Sequence, residues 1–339
     1  MLRFPGRFPL ALGTLIVSAV VAASGAEGML AVRAHATGGP EVLQVERIAI
    51  PQAAAGQVRI KVAAAGVNPV DWKIREKGFG RVISSEAPWI PGFDVAGTVD
   101  SVGEGVSGWR AGDTVVASLQ NAPQGGYAEY AIAPAEDVVR APAGWSLEAA
   151  AGLPTVGTTV WRYLVQAGGI RKGERLLVQG GAGGVGSVAV QVAKAHGARV
   201  IATASARNAD YLRSIGADEV IDYQAAPFED RVSGVDIVFD TVGGETLARS
   251  LAVVRPGGRL VTVAGRPDLA ACEAARVLCI GGPRPEPLGP ALREIVALAE
   301  AGKLALNIDR VFPLEEAAQA QELNRAGRTR GKIVLRTSR

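Results

Sequence analysis

Cysteine and histidine are almost absent from this chain of 339 residues, with two of each. So few thiols exclude a scaffold built on disulfides, and the same shortage excludes a Cys/His-rich zinc site. An excess of one charge is missing too. Lys and Arg number 36 against 33 Asp and Glu, and no dense basic run occurs. A nucleic-acid-binding surface is therefore not expected. No internal repeat with a period of roughly 20–50 residues is present. What remains is an ordinary globular composition, 48% hydrophobic and 20% charged, with apolar surface for a sizeable core. The length suggests roughly two domains. Glycine is plentiful, at 43 residues, which predicts many tight turns or close backbone approaches.

One apolar run stands apart. Arg3 and Arg7 precede a stretch from Leu10 to Ala23, and Ser24-Gly25-Ala26 then supplies small residues suited to cleavage. This has the three-part form of a secretory signal. The run is too short and too broken by Gly and Ser for a membrane-spanning helix. The alternative is that translation starts at Met29 and residues 1–28 are a spurious extension. Under either reading residues 1–28 are excluded from the fold.

From Met29 to about Leu153 the pattern is rich in strands. Val58, Ile60 and Val62 alternate as in a half-buried strand. Turn signals recur at Gly38-Gly39-Pro40, Gly103-Glu104-Gly105, Gly112-Asp113 and Gly125-Gly126. After Pro154 strands and helices alternate. Strands are expected at 175–179, 199–204, 220–221, 235–239, 260–263 and 332–336, and helices at 185–196, 208–215, 245–254, 288–301 and 313–326. Such βαβ repetition predicts an α/β fold with a doubly wound parallel sheet.

The 175–179 strand runs into Gly180-Gly181-Ala182-Gly183-Gly184-Val185-Gly186, and a helix follows. Gly181-x-Gly183-x-x-Gly186 is a dinucleotide fingerprint in its required context. Glycines let backbone approach a pyrophosphate, and the helix start offers free N–H groups and a positive dipole end. Gly181, Ala182, Gly183, Gly184, Val185 and Gly186 are the expected cofactor contacts. An NAD site places an acid at the end of the second strand to hold the ribose 2′-OH. Here Ala204-Ser205-Ala206-Arg207-Asn208 has none. Ser205 and Arg207 suit a 2′-phosphate instead, so the expected cofactor is NADPH.

Nine segments resemble, in order, the zinc-free, quinone-oxidoreductase-like branch of the medium-chain dehydrogenase/reductases. They are TGGPEVLQV (37–45), AAGVNPVDWKIREKG (64–78), PGFDVAGTVDSVGEGV (91–106), GGYAEYA (125–131), LPTVGTTVW (153–161), VQGGAGGVGSVAVQVAKAHGA (178–198), IGADEVIDY (215–223), VDIVFDTVGG (235–244) and RGKIVL (330–335). The resemblance implies a GroES-like β-barrel catalytic domain over 29–153, completed by 307–339, and a Rossmann NADPH-binding domain over 154–306. It also implies a homodimer or homotetramer.

Zinc alcohol dehydrogenases of this superfamily carry a Cys where Asn68 stands and a His where Phe93 stands. Asn68 and Phe93 offer neither thiolate nor imidazole, so no metal is expected. Cys272 and Cys279 read as buried structural thiols, with a redox or disulfide role as the alternative. The implied reaction is hydride transfer from NADPH to an acceptor already activated by conjugation, a quinone or an α,β-unsaturated carbonyl. Asn68 is the candidate donor to the carbonyl oxygen, and Thr159 the candidate neighbour of the nicotinamide. Tyr223 is implied near the 2′-phosphate. Val242 and Gly243, with Val263, Ala264 and Gly265, are implied near the nicotinamide ribose. Asp71 and Asp94 read as a polar tie within the barrel. Relatives often place a Tyr two residues after Asp71, where this chain has Lys73, so the proton donor is open and solvent is the candidate. The alternatives are a thioester (enoyl or crotonyl) reductase and a non-catalytic NADPH-binding protein. The expected partner is a small molecule, with no nucleic acid and no membrane, and NADPH supply favours the cytoplasm.

Overall fold

The computed structural model describes residues 28–78, 87–282 and 287–337. The signal-like segment, Gly28 apart, lies outside the described residues. The first strand β1 (Gly28–Ala34) pairs antiparallel with β2 (Leu43–Ala49). In β3 (Gln57–Val67), Val58, Ile60 and Val62 are buried, as a side-chain period of two requires. A short helix, α1 (Pro69–Lys77), then interrupts the strands. It had no expected counterpart, because its amphipathic stripe is weak and its start depends on a capping box between Asn68 and Asp71.

The barrel sheet continues with β4 (Asp94–Val102), β5 (Thr114–Ser118), β6 (Tyr130–Pro134) and β7 (Val138–Arg140). All are antiparallel to their partners: β4 joins β3 to β5, β7 extends from β5, and β6 pairs with the outer half of β3. At Gly97 the strands pass so closely that a Cβ would lie 2.0 Å from the Lys61 carbonyl oxygen. Helices α2 (Leu147–Ala151) and α3 (Pro154–Val160) lead out, and α3 passes directly into a π-helical stretch at Trp161–Ala167.

The second sheet has six parallel strands: β8 (Arg175–Gln179), β9 (Arg199–Ala204), β10 (Glu219–Asp222), β11 (Val235–Asp240), β12 (Val254–Thr262) and β13 (Leu278–Gly281). Their spatial order is β10-β9-β8-β11-β12-β13. The order reverses between β8 and β11, so a crevice opens there at the carboxyl ends of the strands. This is a Rossmann sheet. Its crossovers are α4 (Gly184–Ala195), α5 (Ala209–Ser214), α6 (Gly244–Ser250) and α7 (Leu269–Ala274). The helix expected over 245–254 is shorter, because a 3-10 turn at Leu251–Val253 feeds Val254 into β12.

Cys272 on α7 and Cys279 on β13 are bonded to each other, with Cα atoms 6.1 Å apart. The expectation of free thiols is therefore corrected. The tight helix-to-strand turn folds a seven-residue spacing back on itself.

The chain then returns. Helix α8 (Leu288–Glu300) buries Leu292, Ile295 and Val296 against the cluster that holds α3 and α4. Strand β14 (Ile308–Pro313), which had no expected counterpart, takes only Pro313 of the ground expected to be helical; a 3-10 turn at Leu314–Glu316 follows, so the last helix, α9 (Ala317–Arg325), starts later. The final strand, β15 (Lys332–Arg336), lies between β14 and β3 and completes the GroES-like sheet. Thus residues more than 260 positions apart in the chain share one core.

The two sheets are tied through α8 as well. Asp137 is fully buried beside β7 and accepts hydrogen bonds from the backbone N–H groups of Leu288 and Gly289. A Cβ at Gly289 would lie 1.8 Å from the Glu136 carbonyl oxygen. Backbone cannot yield there as a flexible side chain would. Gly289→Ala is expected to lower stability by about 1–3 kcal/mol, read as a shift of the urea midpoint. An unchanged midpoint would contradict this packing.

Candidate active site

The glycine turn follows β8 directly. Gly180 takes a φ of +72°, which favours glycine. A Cβ at Gly186 would lie 2.2 Å from the Gly180 carbonyl oxygen, and one at Gly181 would lie 2.9 Å from the Ala202 side chain. Both glycines are therefore required by packing alone. Gly183 differs: a Cβ there would meet only the Gly180 oxygen, at 3.6 Å. Its open side, with half-buried Gly184 and Val185, forms a shallow backbone cradle. No side chain caps α4, so its first N–H groups are unpaired within the helix. These residues fit a pyrophosphate.

The turns beyond the neighbouring strands interlock. Asp240 is fully buried and accepts from the N–H groups of Val242 and Gly243 and from the Thr262 hydroxyl. The Val263 N–H donates to the Asp240 carbonyl, and a Cβ on Gly243 would lie 2.4 Å from the Ala264 oxygen. Val242 and Gly243 are thus brought against Val263, Ala264 and Gly265. The organiser, Asp240, was not singled out from sequence; its only signal is a lone acid ending an apolar strand.

Ser205 and Arg207 follow the end of β9, and the N–H of Tyr223, itself exposed, donates to the Ala204 carbonyl there. Two further arginines arrive from the C-terminal segment. The Arg207 guanidinium donates to the Arg328 carbonyl. Arg330 donates to the Asn208 side chain and the Arg207 carbonyl, and stacks on Tyr211. Arg207, Asn208, Asn307, Asp309, Arg328 and Arg330 line a cleft of about 430 Å³. Sequence reasoning found one of its three arginines.

Asn68, between β3 and α1, is nearly fully buried. Its backbone N–H donates to Asp71, and its side-chain Nδ2 donates to Asp94 at 2.8 Å. The Lys332 Nζ donates to the Asn68 side-chain oxygen and, at 2.8 Å, to the Val67 carbonyl. The other oxygen of Asp94 accepts from the Thr155 N–H and hydroxyl. Tyr127, fully buried, donates its hydroxyl to Asp71. The polar tie expected from Asp71 and Asp94 therefore closes around Asn68 itself. Lys332, Thr155 and Tyr127 complete it without having been predicted. Lys73 is exposed and lies over the Trp72 ring. Thr159 is half-buried on α3, and its hydroxyl makes no hydrogen bond among the described residues. Phe93 is buried in the barrel.

Burial pushes the Asp71 carboxyl up to about 7, although the Asn68 N–H and the Tyr127 hydroxyl both favour its charged form. Burial likewise raises Asp94, opposed by the Lys332 ammonium, and lowers Lys332, opposed by Asp94 and Asp71. Burial and the neighbouring Asp71 carboxyl hold the Tyr127 phenol well above its ordinary value.

Comparison with known proteins agrees with this geometry. A model for alcohol dehydrogenase GroES-like domains matches residues 54–143, and one for zinc-binding dehydrogenases matches residues 215–335. The chain is 34% identical to the quinone oxidoreductase of Mus musculus, over 92% of this chain and 99% of that protein. It is 36% identical to the 2-methylene-furan-3-one reductase of Solanum lycopersicum, over 88% of this chain and 76% of that protein. The solved structure of a quinone oxidoreductase from Coxiella burnetii superposes with a TM-score of 0.84 at 32% identity, covering 92% of this chain and all of that one.

The raised Asp71 carboxyl has a consequence for stability. Below its ordinary 3.8 it is protonated whether folded or unfolded; between there and about 7 only the unfolded chain ionises readily. Folding therefore loses stability as pH rises through that window. Asp71→Asn abolishes the effect, so its melting temperature relative to the parent is expected to climb across the window. A difference that stays flat with pH would contradict the assignment.

Proposed function

The chain belongs to the quinone-oxidoreductase-like family of the medium-chain dehydrogenase/reductases, and from that premise we propose that it uses NADPH to reduce a quinone or an α,β-unsaturated carbonyl without zinc. The observation that carries this reading is the held amide of Asn68. One of its N–H bonds is committed to Asp94, and the second has no protein acceptor among the described residues. An amide N–H in a dry site can stabilise the negative charge that develops on a carbonyl oxygen. It cannot replace zinc in deprotonating an alcohol, so the acceptor must be activated by its own conjugation.

When bound, the nicotinamide supplies the hydride. The glycine cradle would hold the pyrophosphate, and the interlocked turns at 242–243 and 263–265 would hold the nicotinamide ribose. Asn68 would donate to the acceptor's oxygen, and the Thr159 hydroxyl would be the neighbour of the nicotinamide. The acceptor takes up its proton from solvent. The tomato relative's name specifies a conjugated ketone, which supports the enone half of the reading.

The preference for NADPH rests on charge. No carboxylate lies in residues 204–208, directly after β9, to claim a ribose 2′-OH, and Arg207, Arg328 and Arg330 line the cleft there against a single acid, Asp309. A 2′-phosphate suits that balance. Because NADPH is maintained in the cytoplasm, this reading places the working enzyme there.

Three acceptors assayed in parallel test the function: phenanthrenequinone, hexenal and crotonyl-CoA. NADPH oxidation is expected with the quinone or the enal, and Asn68→Ala is expected to lower kcat/KM with them about a hundredfold. Turnover of the thioester alone, or cofactor binding with no turnover, would overturn the reading. For the cofactor, Arg207→Ala is expected to raise the KM for NADPH about tenfold and leave NADH unaffected. Equal losses with both cofactors would argue against a phosphate site.

A further inference from the structure

The amide of Asn68 lies between opposite charges. Lys332 donates to its oxygen, and Asp94 accepts from its nitrogen. The ammonium and the carboxylate stand 3.9 Å apart, and both side chains are buried. Asp94 cannot swing away, because Thr155 holds its second oxygen by two hydrogen bonds. Lys332 cannot withdraw either. Its Nζ is also bound to the Val67 carbonyl, and its stem crosses the cofactor turn, where a Cβ on Gly184 would lie 2.9 Å from Cδ. Turning the amide over would set NH₂ against the ammonium and oxygen against the carboxylate. Both contacts would be repulsive.

We propose that Lys332 is a positioning residue that fixes the Asn68 amide with its N–H, not its oxygen, turned to the acceptor's carbonyl. This rests on the carbonyl-binding reading of Asn68 above. A substrate oxygen meeting the amide oxygen would be repelled, so the orientation decides whether the site works. The ammonium acts a second way: hydrogen bonding to the amide oxygen polarises the group and strengthens its N–H as a donor. The same lysine follows Gly331, whose N–H donates to the Ala182 carbonyl in the glycine turn. One short segment thus holds the substrate-side amide and the cofactor loop in register.

A double-mutant cycle separates positioning from a structural ion pair. Lys332→Met is expected to lower kcat with phenanthrenequinone about tenfold or more, with a smaller change in KM, as for a group that acts in the transition state. In an Asn68→Ala background the same substitution is expected to cost no more than about twofold, because the group it acts through is gone. NADPH binding, followed by quenching of protein fluorescence, is expected to stay within about threefold in all variants. Removing one partner of a buried charge pair can unfold a chain. Lys332→Met/Asp94→Asn keeps the interior neutral and is carried through the same cycle if the single variant does not fold. Equal losses with and without Asn68 would overturn the proposal, as would a fully active Lys332→Met. A fully active Asn68→Ala would overturn the underlying carbonyl reading as well, and that outcome is visible in the single variant alone.

Discussion

A buried ammonium is the constraint on which the rest of this structure turns. Lys332 gives up most of its hydration, which is costly unless the interior replaces it. Three acceptors do so: the Val67 carbonyl, the Asn68 amide oxygen and, more distantly, Asp94. They are available only if the last strand inserts between β14 and β3, and only if the preceding residue docks on the glycine turn. One segment thus completes the barrel, meets the cofactor loop through the Gly331 backbone and places Lys332 on Asn68. Asp71, Tyr127 and Thr155 extend the same network. Most of its polar groups satisfy one another, Asp71 Oδ1 being the exception.

The cofactor side follows a different logic, that of backbone and charge. The glycines at 181 and 186 are needed for packing, whereas the backbone at Gly183 is left open and Gly184 is covered on one side by the Lys332 stem. The proposed preference for a 2′-phosphate draws on groups from outside the parallel sheet. Arg328 and Arg330 arrive on the segment that leads into the last strand, and Arg330 braces the turn after β9 through Asn208 and Arg207. The barrel unit thereby helps to shape a cleft whose floor belongs to the Rossmann unit.

Local signals explain what could be read in advance. Five of the six parallel strands were legible as apolar stretches closed by glycine or a turn, whereas β13, with no buried residue, was not; the cofactor loop was legible because its spacing sits between a strand and a helix. Asn68 was legible through its resemblance to a family motif. Asp71 and Asp94 were legible as a polar tie, but Lys332, Tyr127 and Thr155 were not. Lys332 meets Asn68 across 264 positions, and Tyr127 meets Asp71 across 56, and no local pattern reports such pairings. Strand β14 was missed because its burial is slight, with Phe312 its one buried residue. The Cys272–Cys279 bond was missed because two cysteines in a weakly patterned stretch look like ordinary buried thiols.

The proposed role of Asn68 is tested most directly by a crystal structure of the ternary complex with NADP⁺ and a non-reducible ketone. The prediction is a ketone oxygen about 3 Å from Asn68 Nδ2, with Lys332 on the amide oxygen. A ketone oxygen bound elsewhere, or an amide turned with its oxygen toward the ligand, would contradict it.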